Sequence, residues 1–89
     1  MSNKELIKIV VEMKQFASAC LDGRNSEERW HCLDCISDTN DEIQYENYDN
    51  SIVDELLKDI YKSNRIYNKK VEKLYDYLKK LLEKLYKQE

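Results

Sequence analysis

The chain has no proline and a single glycine, Gly23, in 89 residues. Proline is the strongest helix breaker and glycine the next, so almost nothing in this backbone opposes continuous helix. A β-sandwich needs turn residues every dozen positions and a nucleotide-binding fold needs glycine loops, and neither is provided. Leu, Ile, Val and Phe number 22, above the ~20% of a chain below which disorder is the default. The expected class is therefore all-α, a helix bundle in one domain spanning residues 1–89. So short a chain buries roughly 60–65% of its unfolded surface, which makes self-association a reasonable expectation.

The first helix is well marked. Ser2 and Glu5 fit a capping box, and Leu6, Val10, Met13, Ala17 and Cys20 recur at steps of four and three. Gly23 stands where a helix favours a left-handed residue, so the helix is expected from about Asn3 to Leu21. A second helix begins at Asn25 or Ser26, with Glu27 and Glu28 at its positive N-terminal end and Trp30, Leu33 and Ile36 on its apolar edge. Ser37-Asp38-Thr39-Asn40 compete with helical backbone bonds and predict a stop near Ser37. Residues 1–37 thus read as a helical hairpin and 38–50 as an acidic connector, where Thr39 and Glu42 allow at most a short helix.

From Ser51 the spacing predicts one long amphipathic, coiled-coil-like helix to residue 88. Val53, Leu57, Ile60, Asn64, Tyr67, Val71, Leu74, Leu78, Leu81 and Leu85 alternate steps of four and three without an error. A 3.5-residue period supercoils helices because the apolar seam must keep facing a partner. Residues 51–88 as one helix would span about 57 Å, longer than a compact chain of this size needs. A second copy clasping these ten positions, as a homodimer or higher oligomer, is the expected solution. Asn64 at an a position would then fix the register; alternatively it faces water between two packed segments. Leu56, Tyr61, Tyr75, Tyr77 and Leu82 widen the seam and predict further helices against it, from the first hairpin or from other chains; a monomeric bundle is the alternative.

Charge is unevenly distributed. Residues 1–55 hold five basic and thirteen acidic side chains, residues 56–89 ten and five, for a net charge of −3. Seven acids and no base lie between Ser37 and Glu55. Within that stretch Asp41, Glu42, Tyr45, Glu46, Tyr48 and Asp49 are the candidate partner-binding residues. Carboxylates steer and orient encounter with a basic surface, while tyrosine adds contact area at low entropy cost. The ordinary alternative is a solvated connector. The lysines of the last helix form i, i+4 pairs at Asp54–Lys58, Asp76–Lys80 and Glu83–Lys87. That pairing and the overall acidity argue against direct nucleic-acid binding, although a Lys-rich helix acting as a nucleic-acid adaptor is the alternative.

Cys20, His31, Cys32 and Cys35 make a possible four-ligand zinc set, and Cys32 and Cys35 have CxxC spacing. The second CxxC is missing and the four fall on predicted helices, so packing as small hydrophobic thiols is the simpler reading and no cofactor is expected. There is no Gly-rich phosphate loop, no Ser-centred elbow and no HExxH, so no catalytic residue is assigned. The apolar cluster Leu6 to Val11 is broken by Lys8, and no run approaches a membrane span; a cytoplasmic chain is expected. Taken together the residues predict a small non-enzymatic regulator or inhibitor, in the manner of an antitoxin, an immunity protein or a phage-encoded blocker of a nucleic-acid-handling enzyme. It would bind that protein through its acidic, Tyr-rich segment.

Overall fold

A computed structural model describes residues 1–88, and the described residues form four α-helices: α1 (Asn3–Asp22), α2 (Ser26–Tyr45), α3 (Ser51–Tyr61) and α4 (Asn68–Lys87). α1 packs on α2 and on α4, and α3 closes the ring between α2 and α4. Short turns between sequential helices and a hydrogen bond from Asn3 Nδ2 to the Leu85 carbonyl (3.1 Å) make neighbours antiparallel around the ring. The bundle measures 38 × 22 × 17 Å. No helix among the described residues is long and apolar enough to cross a membrane.

The caps of α1 and α2 are those the sequence specifies. Ser2 Oγ accepts from the Glu5 amide (3.2 Å) and Asn25 Oδ1 from the Glu28 amide (2.9 Å), each satisfying a donor that has no intrahelical partner. Gly23 has a different role from the one expected. Its φ of −62° is ordinary for any residue. A Cβ there would lie 2.6 Å from Cγ of Arg29, whose guanidinium bonds the Cys20 carbonyl and Asn68 Oδ1. Glycine makes room for the arginine that ties α1, α2 and α4 together.

α2 does not stop near Ser37; it runs eight residues further. Thr39 Oγ1 donates to the Cys35 carbonyl one turn back (2.8 Å), a bond made within the helix, and Asn40 turns inward to tertiary partners, so neither side chain ends the helix. The connector contracts from 38–50 to residues 46–50, with Asn47 at φ 66°.

The long helix is likewise corrected. α3 ends at Tyr61, and residues 62–67 turn the chain back before α4 begins at Asn68. Eight of the ten seam positions are buried, but inside one chain: Val53, Leu57 and Ile60 from α3, and Val71, Leu74, Leu78, Leu81 and Leu85 from α4. Asn64 is exposed in the turn and Tyr67, 48% exposed, precedes α4. The turn costs a few helical hydrogen bonds but lets the apolar faces meet α1, α2 and each other, so no second chain is needed to cover them. Leu82, expected to widen the seam, is buried, and Tyr75 packs beside it as a partly buried neighbour of the core.

Candidate interaction surface

The extension of α2 creates a surface that a connector could not. Glu27, His31, Asp34, Asp38, Asp41 and Tyr45 recur at steps of four and three along it, and all six are exposed. They form one ridge on the solvent side of the helix. Glu42 and Glu46 lie at its edge, where with Glu5, Lys8 and Glu12 of α1 they border a shallow groove of about 310 Å³. No lysine or arginine occurs between Arg29 and Lys58. Among the described residues only two ion pairs form, Lys70 with Asp59 (3.5 Å) and the amino group of Met1 with Glu46 (3.8 Å). Asp38, Asp41 and Glu42 are therefore without a cationic neighbour at contact distance, and the i, i+4 pairs expected on α3 and α4 are not closed.

The ridge ends in Tyr45, 90% exposed, which is unusual for a large aromatic residue. Tyr48 differs: it is partly buried against the core and belongs to the support of the tip. Asp49 is exposed, and its Oδ1 accepts from the Ser51 amide (3.2 Å), giving α3 the cap that Asn50 does not supply.

A buried polar network holds this tip. Asn40 and Asn50 are 0% and 2% exposed. Asn50 Nδ2 donates to Asn40 Oδ1 (2.7 Å), and Asn40 Nδ2 donates to Asp54 Oδ1 (3.0 Å). Gln44 Nε2 donates to the other oxygen of Asp54 (2.9 Å), and Tyr77 Oη donates to Asn50 Oδ1 (3.4 Å). Burial, with Tyr48 and Asp49 nearby, raises the Tyr77 hydroxyl above the usual tyrosine range. The end of α2, the 46–50 turn, the start of α3 and the middle of α4 are thereby clamped. The signal was present in the sequence: Leu33, Ile36, Asn40 and Ile43 step by three, four and three, so Asn40 interrupts an apolar stripe.

At the opposite end Trp30 stacks on Tyr61, with ring centroids 5.6 Å apart and 17° between planes. The Tyr61 hydroxyl donates to Asp34 Oδ1 (2.6 Å). Burial, and then the Asp34 carboxylate, push that hydroxyl well above the tyrosine range. The proposed zinc ligands do not converge: no three His, Cys, Asp or Glu among the described residues are placed to hold a metal. Cys20 is fully buried, and burial raises its thiol above the usual range although Arg29 opposes the shift. Cys32 is raised by burial, then by Cys35 and Glu28. Only His31 Nε2 and Cys35 Sγ approach each other, at 3.6 Å on successive turns.

Comparison with protein-family models, curated proteins and solved structures returns no match.

Proposed function

We propose that this protein is a non-catalytic binding module whose acidic α2 ridge and Tyr45 tip dock on a basic surface of another protein. The regulator or inhibitor of a nucleic-acid-handling enzyme expected from the sequence is one form of this reading, because such enzymes present basic grooves to phosphate. The observation that carries it is an aromatic residue 90% exposed at the end of a carboxylate ridge whose Asp38 and Asp41 form no ion pair among the described residues. Unpaired carboxylates raise the encounter rate with a basic surface, and an exposed tyrosine supplies an anchor that a merely solvating ridge has no use for. The buried clamp at Asn40 and Asn50 supports the reading further, since a tip that is already ordered loses little entropy on binding.

The test is capture of partners from the cells that make the protein, identified by mass spectrometry, with wild type beside an Asp38→Lys, Asp41→Lys, Glu42→Lys variant. Asp34 and Asp49 are left intact because each bonds a neighbouring element. A basic protein retained by the wild type and lost by the still-helical variant is the expected result. A partner retained equally by both, at low and high salt, overturns the proposal.

A further inference from the structure

We propose that the basic outer face of α4 docks the acidic outer face of α2 from a second copy of this chain, giving open lateral rows at low ionic strength. Lys69, Lys73, Lys80, Lys84 and Lys87 all lie on the solvent side of α4 and are exposed. None takes part in an ion pair among the described residues. Of the acids of this helix, Glu83 borders α1 on the side of Lys79 and Tyr75, while Glu72 and Asp76 are exposed beside the lysines without closing an ion pair with them. The lysine face is thus a helix surface with no partner in its own molecule.

Its dimensions and position identify the occupant. Lys69 to Lys87 and Glu27 to Tyr45 each cover 18 steps of helix, so both ridges are about 27 Å long. α2 and α4 share α1 and α3 as neighbours and touch at one end, where Arg29 bonds Asn68 Oδ1. They stand at opposite corners of the ring, so a molecule cannot neutralise its own ridges. Both are antiparallel to α1, so they run in the same direction. A neighbour displaced sideways, without rotation, brings its acidic ridge against the basic one along their whole length. This contact joins two different faces and therefore extends into rows instead of closing as a dimer.

The area sets the strength. A strip about 27 Å by 10 Å is far below the ~800 Å² per partner of a stable interface, so the association is weak and held by charge. It differs from the apolar seam expected from the sequence, which the fold consumes internally. It shares the α2 ridge with the proposed function, so a basic target would compete with the rows, but it requires no target.

Sedimentation velocity of the full chain tests it, at about 100 µM protein in about 20 mM and about 500 mM NaCl, where screening is weak and strong respectively. The expected weight-average mass exceeds the 10.7 kDa monomer at low salt and returns to it at high salt. Two charge-swapped proteins decide the faces. Lys73→Glu with Lys80→Glu, and Asp38→Lys with Asp41→Lys, should each be monomeric alone, with wild-type helicity. Mixed in equal amounts they should associate as strongly as the wild type, because each now offers the face the other lacks. A wild type that stays monomeric at low salt overturns the proposal, as does a mixture that stays monomeric or a single variant that still associates. A duplex DNA titration serves as a further arm: binding lost in the lysine variant, with no recovery of mass in the mixture, assigns the face to phosphate. Failure in these target-free experiments leaves partner capture by α2 standing.

Discussion

Two asparagines separate the folded-back bundle from a continuous coil. Asn40 is fully buried and Asn64 is exposed; in a coil the burial would be reversed, with Asn64 at the seam and Asn40 in a solvated connector. Asn40→Ala removes the donor to Asp54 and leaves the amide of Asn50 buried without its 2.7 Å acceptor. A lost bond to a carboxylate costs about 1.5 kcal/mol and an unsatisfied buried donor about 1–3, so the variant should lose about 3 kcal/mol. In a chain of this size that lowers Tm by about 12–24 °C. Asn64→Ala removes no contact and should stay within about 0.5 kcal/mol of wild type. Urea unfolding followed by circular dichroism measures both, with unchanged m-values showing that the unfolded reference is the same. If Asn40→Ala is neutral while Asn64→Ala shifts stability or mass, the turn at 62–67 is wrong and the seam lies between chains.

Further outcomes follow from the same structure. Gly23→Ala should cost about 1 kcal/mol by displacing Arg29, since its backbone angles suit alanine but a Cβ would lie 2.6 Å from Arg29 Cγ and 3.3 Å from the Ala19 carbonyl oxygen; a stabilised variant in thermal melts would refute this. Tyr61 keeps its proton to higher pH in the fold than in the unfolded chain, so its contribution is complete below about pH 10 and is lost as pH rises beyond it. Tyr61→Phe should therefore flatten the alkaline fall of urea midpoints, and an unchanged slope would count against that assignment. Cys20 should resist a water-soluble thiol reagent until urea unfolds the chain, whereas Cys32 and Cys35, both partly exposed, should react in the native state. Equal labelling of all three thiols before unfolding would contradict the burial of Cys20.

What the sequence made legible was local. The Ser2 and Asn25 caps and the steps from Leu6 to Cys20 carry their own partners within one or two turns, so α1 and the start of α2 are read directly. The end of α2 is not local. Thr39 and Asn40 look like helix breakers until the Cys35 carbonyl, Asn50 and Asp54 are known as their partners. The 62–67 turn was hidden for a different reason. Apolar spacing stays in phase from Ile60 through Val71, and a ladder that keeps its phase is compatible with one helix or with two packed face to face. Only Ser63 and Asn64 hint at the break, without glycine or proline to mark it. The acidic surface was visible as composition but not as shape: Asp34 and Asp38 join Asp41 on one ridge only because α2 continues past Ser37.

The Asn40–Asn50 clamp links stability to presentation. An apolar pair there would still fill the core, but it would not specify how the 46–50 turn leaves α2, because apolar contacts tolerate small shifts and hydrogen bonds with fixed partners do not. Asn40 sits one turn before Gln44, and Asp54 accepts from both, so the last turn of α2 cannot rotate without breaking two bonds to the same carboxylate. Tyr45 follows directly, and its direction is set by that constraint. A buried polar network costs desolvation that leucine would avoid. Its position beneath the most exposed aromatic residue of the chain is where fixed geometry would matter for recognition. Substitutions in the clamp should therefore weaken partner binding more than their effect on the folded fraction alone accounts for.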